Sequence, residues 1–379
     1  MQNTQVGLAI LISLAVVTAI QLIYYYIIYG KFTFHRKKSA ISLREIPLSV
    51  VIVVRDNASQ ILQSLPKFLN QQYPDFEVVI VNDRSPDEQS LFAIKEYQQR
   101  CPKIKFVDLR DAVSTSRGKK MALSFGIKCA SHEHVVITSP DCEPTSEHWL
   151  LNVAQNFQGQ KRIVIGYSTF ARRKNPYNLF LHYDNVVTAV QYFSSVLGKS
   201  TYRGDFRNVA FVRSLFYKQK GFTSFNHLEW GEDDVFIHWI SDANNTAIEF
   251  SPDSTIVEQN IPQYGYWRSH KISLFYTRKY NSSKNRVSLA IYEISNILFY
   301  TLLVLSIIAN VANPVYLYSA IGIAVVRVAS LYVTLGISAS KLNEKQIIPH
   351  ILFYDILFSI LNPLYWLFSK INRKKIAKW

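Results

Sequence analysis

With 379 residues and a hydrophobic fraction of 49%, the chain has room for one sizeable domain plus membrane segments, or for two small domains. Its 42 Lys and Arg against 27 Asp and Glu leave a formal net charge of +15, but much of that charge flanks apolar runs, which argues for a lipid bilayer and against nucleic acid as a partner. Cys101, Cys129 and Cys142 are odd in number and lack metal spacing, so they read as reduced thiols of a cytosolic compartment.

Val6 to Tyr29 carries no charged residue and exceeds the roughly 20 residues needed to span a hydrocarbon core. It lacks the basic start, short apolar core and small-residue cleavage site of a signal peptide, so residues 1–30 read as an uncleaved transmembrane anchor. Lys31, Arg36, Lys37 and Lys38 follow it, and no Lys or Arg precedes it. Basic residues stay inside, so the following domain is expected in the cytosol, at the inner membrane of the cell.

Between Leu48 and Gln259 the patterning alternates. Leu48–Val54, Phe76–Val81, Ile104–Asp108 and His134–Thr138 are β-branched apolar runs and read as strands. Helical spacing appears over Ile61–Leu69, Leu91–Tyr97 and Lys119–Ala130, with Asn57 as an N-cap for the first and Pro66 weighing against its being unbroken. Such alternation predicts an α/β domain over residues 45–262: a mostly parallel sheet with helices on both faces. Ligands then bind beyond the C-terminal ends of the strands.

Acidic residues stand at those ends. Asp83 follows the second strand and Asp141 the fourth, while Glu232, Asp233 and Asp234 cluster further on. Singly, each has an ordinary reading as a turn former, an N-cap or a complement to a helix dipole. Together they suit transfer from a nucleotide-sugar. A divalent metal held by carboxylates would offset the leaving diphosphate, a carboxylate would take the acceptor proton, and an Asp would accept from a base N–H.

Tyr264 to Tyr280 mixes aromatic and basic residues, so residues 263–285 read as an interfacial amphipathic segment. Residues 286–379 form a C-terminal membrane region: two spans near 291–311 and 315–337, then a third apolar stretch, Ile347 to Phe368. A third crossing would put Lys370, Arg373, Lys374, Lys375 and Lys378 outside. The stretch is therefore expected as a re-entrant or interfacial hairpin broken at Pro363, with a simple span as the alternative. Arg327, inside the second span, is expected to pair with Asp355 or Glu293, either as a structural ion pair or in acceptor handling.

Over Leu48 to about Tyr280 the chain resembles membrane-anchored family 2 glycosyltransferases of bacterial type, with a GT-A fold. The resemblance rests on SVVIVVRDNA, VNDRSPDEQ, RGKKMAL, TSPDCEPTSEHWL, RGDFRNVAFVRSLFYKQKGF and GEDD. It implies a hexosyltransferase with Asp233 as catalytic base and donor contacts from Asp56, Asp83, Gly118, Lys119 and Asp141. Asp141 would also hold Mg2+ or Mn2+, and Glu232, Asp234 and Asn208 would act in support. It also implies an inverting transfer, from a UDP-sugar or similar donor to a lipid-linked or glycan acceptor, as in polysaccharide biosynthesis. Several positions depart from the pattern. Ser139 and Pro140 replace the first two residues of the family's DxD, Asn57 replaces its first-loop Glu, and WRSHKISLF stands where processive synthases carry QxxRW. These departures favour limited transfer over polymer synthesis. They also keep open a non-catalytic membrane scaffold that retains the fold.

Overall fold

The computed structural model describes residues 2–37, 45–55, 58–110 and 118–371. The expected N-cap Asn57 and the expected donor contact Asp56 lie outside these. Two compact units divide the chain: one gathers the segments up to Arg36, Leu179–Gly198 and Arg268–Arg373, and the other holds Lys37–Asn178 and Lys199–Trp267.

In chain order, α1 (Gln2–Ile23) widens by one turn at Tyr24–Ile28 and ends as α2 (Gly30–Thr33). There follow β1 (Leu48–Val54), α3 (Ala58–Leu69), β2 (Phe76–Asn82), α4 (Glu88–Arg100), β3 (Ile104–Asp108), α5 (Lys119–Cys129), β4 (His134–Thr138) and β5 (Cys142–Pro144). Next come α6 (Trp149–Ala154), β6 (Ile163–Gly166), β7 (Ser168–Phe170), α7 (Pro176–Leu197), β8 (Val209–Val212), α8 (Arg213–Lys218), α9 (Ile237–Ile240), β9 (Thr246–Glu249) and β10 (Ile256–Glu258). The chain closes with α10 (Tyr264–Thr277), α11 (Ser283–Ala309), α12 (Pro314–Lys341) and α13 (Ile351–Ile371).

The main sheet has seven strands in the order β3-β2-β1-β4-β8-β6-β9, and β5-β10-β7 make a smaller one. All neighbours in the main sheet are parallel except β8, which runs antiparallel to both β4 and β6. The expected mostly parallel sheet is therefore present. Its two faces separate by residue parity. Val50, Ile52, Val78 and Ile80 join one core with Ile61, Leu65 and Phe68 of α3, Leu91 and Ile94 of α4, and Trp149 of α6. Val51 and Val81 face the other way, towards α5. A Cβ on Gly126 of α5 would stand 2.5 Å from Val51 Cγ1 and 2.8 Å from Val81 Cγ2, so only glycine lets the helix approach this closely. Helices thus cover both faces.

α3 runs unbroken through Pro66, although a proline there removes one backbone bond. Helix α6 begins at Trp149, and Thr145 before it is tied by its hydroxyl to the carbonyls of Pro252 and Thr255.

Among the described residues, four helical stretches are long and apolar enough to cross a membrane: Gln5–Thr33, Ser283–Ala309, Pro314–Lys341 and Lys345–Ile371. In the first unit, Leu11, Leu14 and Val17 of α1 pack with Phe299 of α11 and Ala320 of α12. Arg327 of α12 donates to Gln21 (2.7 Å) and Asn296 (2.6 Å) and pairs with Asp355 of α13 at 2.6 Å, with both charged groups buried. Glu293, the other expected partner, pairs with Arg278. Arg327 is therefore committed to a buried structural pair. The hairpin expected over residues 347–368 is absent. α13 continues through Pro363, because loss of one amide donor is tolerated in an apolar helix whose other backbone bonds persist.

Candidate active site

The crevice of an open α/β sheet opens where the strand order reverses. Here that point lies between β1 and β4, and the loops after β1, β2 and β4 carry Arg55, Asp83 and Asp141. Neighbouring strands are about 4.8 Å apart, so the ends of β2 and β4 stand about 10 Å from each other, within the span of one nucleotide.

Asp83 is fixed by its backbone. Its amide donates to the Val54 carbonyl at 2.8 Å, continuing the ladder one residue past β2. Arg84, the next residue, has a φ of 58° and turns the chain away, and the Asn82 side chain accepts from the Ser85 amide at 2.8 Å to close the turn. The Asp83 carboxylate is buried, with Arg55 Nη1 at 3.9 Å and Arg84 Nη1 at 3.6 Å. Asp87, the second aspartate of the VNDRSPD segment, serves as the N-cap of α4 by accepting from Ser90 N at 3.0 Å.

Asp141 sits in a turn closed by the Cys142 amide on the Ser139 carbonyl (3.1 Å) and supported by Ser64 Oγ on the Pro140 carbonyl (2.9 Å). Its own carbonyl accepts from the Gln259 amide at 2.8 Å. The antiparallel pairing of β5 with β10 then sets Glu258 opposite Cys142. Burial raises the Asp141 carboxyl above its ordinary range, with Arg207 and Lys119 opposing that only in part. Burial also pushes Glu258 up to about 7, despite Arg207 and with the help of Asp141. The carboxyl pair lacks sufficient positive charge.

Asp233 lies on a wide helical turn, Glu232–Phe236, entered through Gly231 at a φ of 127°, where a side chain would be strained. Its Oδ1 accepts from the Phe206 amide at 3.0 Å, and its carbonyl accepts from the Gly204 amide at 2.7 Å. Glu232 is buried, with Lys119 Nζ at 3.3 Å. Partial burial would lower the Lys119 ammonium, but Glu232 and Asp233 outweigh it and hold the group charged. Asp234 turns inward, and its carboxylate accepts from the Val235 amide at 2.7 Å. Gly118, at a φ of 125°, starts α5, and a Cβ there would meet nothing within 4 Å.

Asn208 lies under the site. Its side chain donates to the carbonyls of Tyr167 (2.7 Å) and Ser254 (2.9 Å) and accepts from Trp149 Nε1 (3.0 Å). Three further charged residues escape the sequence reading. Arg207 holds Asp205 through two nitrogens, at 3.0 Å (Nε) and 2.6 Å (Nη2), and reaches Glu258 at 2.8 Å. Burial alone would raise Asp205, but the Arg207 charge and hydrogen bonds hold it below its ordinary value. This group therefore bridges the Asp141 side of the crevice to Asp233, through the Phe206 amide that lies between Asp205 and Arg207. Trp230 and Tyr266 add an edge-to-face ring pair with centroids 5.3 Å apart, and Tyr266 feels the charges of Lys119, Glu258 and Asp233.

Among the described residues no group of three or more His, Cys, Asp or Glu converges as a complete metal cage. Mg2+ and its relatives are commonly held by one or two carboxylates plus substrate phosphates, so the under-compensated Asp141–Glu258 pair fits a divalent cation that arrives with a diphosphate.

Comparison with known proteins agrees with this geometry. The profile of glycosyl transferase family 2 matches residues 49–218. A poly-beta-1,6-N-acetyl-D-glucosamine synthase from Staphylococcus epidermidis is 33% identical over 94 residues, which cover 25% of this chain and 21% of the synthase. An uncharacterized glycosyltransferase from Rickettsia bellii is 25% identical over 130 residues, covering 34% of this chain and 18% of that protein. The matches thus span about a fifth of these relatives' length. In structure, the mannosyltransferase PcManGT from Pyrobaculum calidifontis, solved with GDP-Man and Mn2+, superposes with a TM-score of 0.56 at 19% identity, covering 93% of this chain and 98% of that one. These similarities support a glycosyltransferase: residues 49–218 are similar to glycosyl transferase family 2, within a GT-A-type fold.

Proposed function

We propose that the protein is an inverting glycosyltransferase that moves a hexose from a nucleotide-sugar, a UDP-sugar by preference, to a lipid-linked or glycan acceptor at the cytosolic face of a membrane. The observation that carries this reading is the shared electrostatic environment of Asp141, Lys119 and Asp233, with β1 alone between the strand that leads to Asp83 and the strand that leads to Asp141. Asp83 accepts from the imide N–H of the base. Lys119, held charged, faces the diphosphate. A divalent ion at Asp141, with Glu258 beside it, would add counter-charge for the departing nucleoside diphosphate.

Asp233 takes the proton of the acceptor hydroxyl as that oxygen attacks the anomeric carbon in line. The bond from that carbon to the diphosphate oxygen breaks, its electron pair leaves with the nucleoside diphosphate, and the configuration inverts. The Phe206 amide on Asp233 Oδ1 fixes the orientation of the carboxylate. The Trp230–Tyr266 ring pair offers an apolar face suited to a sugar ring of the acceptor.

The relation to the Staphylococcus synthase supports a glycan product, and the Mn2+ and GDP-Man in PcManGT support a metal-dependent nucleotide-sugar donor. Screening UDP- and GDP-sugars with the purified full chain, by release of the nucleoside diphosphate with and without Mn2+, tests the reading. Metal-dependent release with one donor is expected. No release with any donor, together with no metal-dependent nucleotide binding, is the behaviour of a scaffold and would overturn it.

A further inference from the structure

Helix α13 is long and apolar enough to cross a membrane, yet its neighbours are wrong for a crossing. Asp355, near its start, meets Arg327, which lies roughly 20 Å from either end of α12. A helix continuing across from there would carry Phe368 about 20 Å further, towards the turn at Asn310–Asn313. Phe368 instead lies under the guanidinium of Arg268 in α10, at 5.0 Å from the ring centroid.

Between these points α13 rests on α7. Phe358 stacks on Phe180 with centroids 4.9 Å apart, and Tyr354 and Phe358 both meet Tyr183, at 5.3 and 5.5 Å. Neither α7 nor α10 is among the stretches apolar enough to span. Both belong to the basic end of the helix bundle. Ser194 of α7 donates to the carbonyl of Tyr29, two residues before Lys31, and Arg278, directly after α10, pairs with Glu293 of α11. Lys341, at the end of α12, donates to the carbonyls of Phe32 and His35 at the same end.

The opposite face of α13 exposes Phe353, Ile356, Ile360, Leu364, Leu367 and Ile371, an unbroken apolar stripe at helical spacing. Lys370 follows on the helix, and the sequence continues with Arg373, Lys374, Lys375 and Lys378.

We propose that α13 does not cross the membrane but lies in its interface, with the apolar stripe in the acyl region and the basic tail among anionic headgroups on the side of the soluble domain. The partner of this face is the bilayer surface itself. The arrangement removes the conflict between the basic C-terminus and the inward preference of Lys and Arg. The chain then crosses three times, by α1, α11 and α12.

Labelling with a membrane-impermeant maleimide tests this on the full chain in sealed membranes. The background carries Cys101→Ser and Cys129→Ser, while Cys142 is fully buried and its thiol is pushed up by burial, so it stays silent. One variant adds Lys218→Cys on the exposed surface of α8 and a second appends a cysteine after Trp379. The proposal expects both to label from the same face of the membrane. Labelling from opposite faces means that α13 spans, and a tail that stays unlabelled after permeabilisation lies in lipid. Either result overturns the proposal.

Discussion

The backbone amide of Phe206 donates to Oδ1 of Asp233 at 3.0 Å, so the side chain read as the base is aimed by a segment of main chain. Lengthening the side chain breaks that registration while keeping the charge. Asp233→Glu is expected to lower kcat by about 10²-fold with little change in KM for the donor, because a misplacement of about 1 Å costs that much. Steady-state kinetics across donor concentrations would show it, and an equal fall in donor affinity would contradict the reading.

The same stretch of chain carries Arg207, which holds Asp205 and reaches Glu258, 51 residues further along the chain than Arg207 itself. Arg207→Ala removes the guanidinium from two mostly buried carboxylates and is expected to cost about 3 kcal/mol of stability, the lower end for such a loss. Arg207→Lys should recover little of it, since an ammonium cannot reproduce the two-pronged contact. Denaturant midpoints of the two variants measure this directly.

Asp83 acts on the donor alone in this account. Asp83→Ala is expected to raise KM for the nucleotide-sugar about 10- to 100-fold while kcat falls far less, the range of one hydrogen bond to a charged group. A large fall in kcat at saturating donor would place Asp83 in the chemical step instead.

Glu258 provides a pH signature. Burial lifts its folded pKa to about 7, above the ordinary 4.5 for a glutamate. The native state therefore keeps a proton that the unfolded chain has released, and stability falls as pH rises from about 4.5 to 7. Glu258→Gln removes this titration. Its melting temperature should fall less than that of the parent protein over the same window, and an unchanged slope would assign the proton elsewhere.

What could be read in advance follows from how local each signal is. β1, β2 and β4 are β-branched runs buried on both faces, and the expected range His134–Thr138 is the observed β4. β5, β7 and β10 have three residues each and exist only because they pair with one another, so no local pattern marks them. Glu258 closes β10 and stood hidden with it. Asp205 and Arg207 sit in plain view in RGDFRN, but their role depends on Glu258. Asn208 is expected in a supporting role, and its side chain is bound to Tyr167, Ser254 and Trp149 beneath the crevice. Pro363 misled because a proline in an apolar helix disturbs far less than in water.

If Asp233 is the base of a sugar transfer, replacing its carboxylate with an amide must stop turnover and spare the donor. Release of nucleoside diphosphate by Asp233→Asn is measured beside the parent protein, together with binding of the same donor. A loss of turnover of at least about 10²-fold with donor affinity retained is expected, as for removal of a general base. Turnover at the parental rate in Asp233→Asn would contradict it.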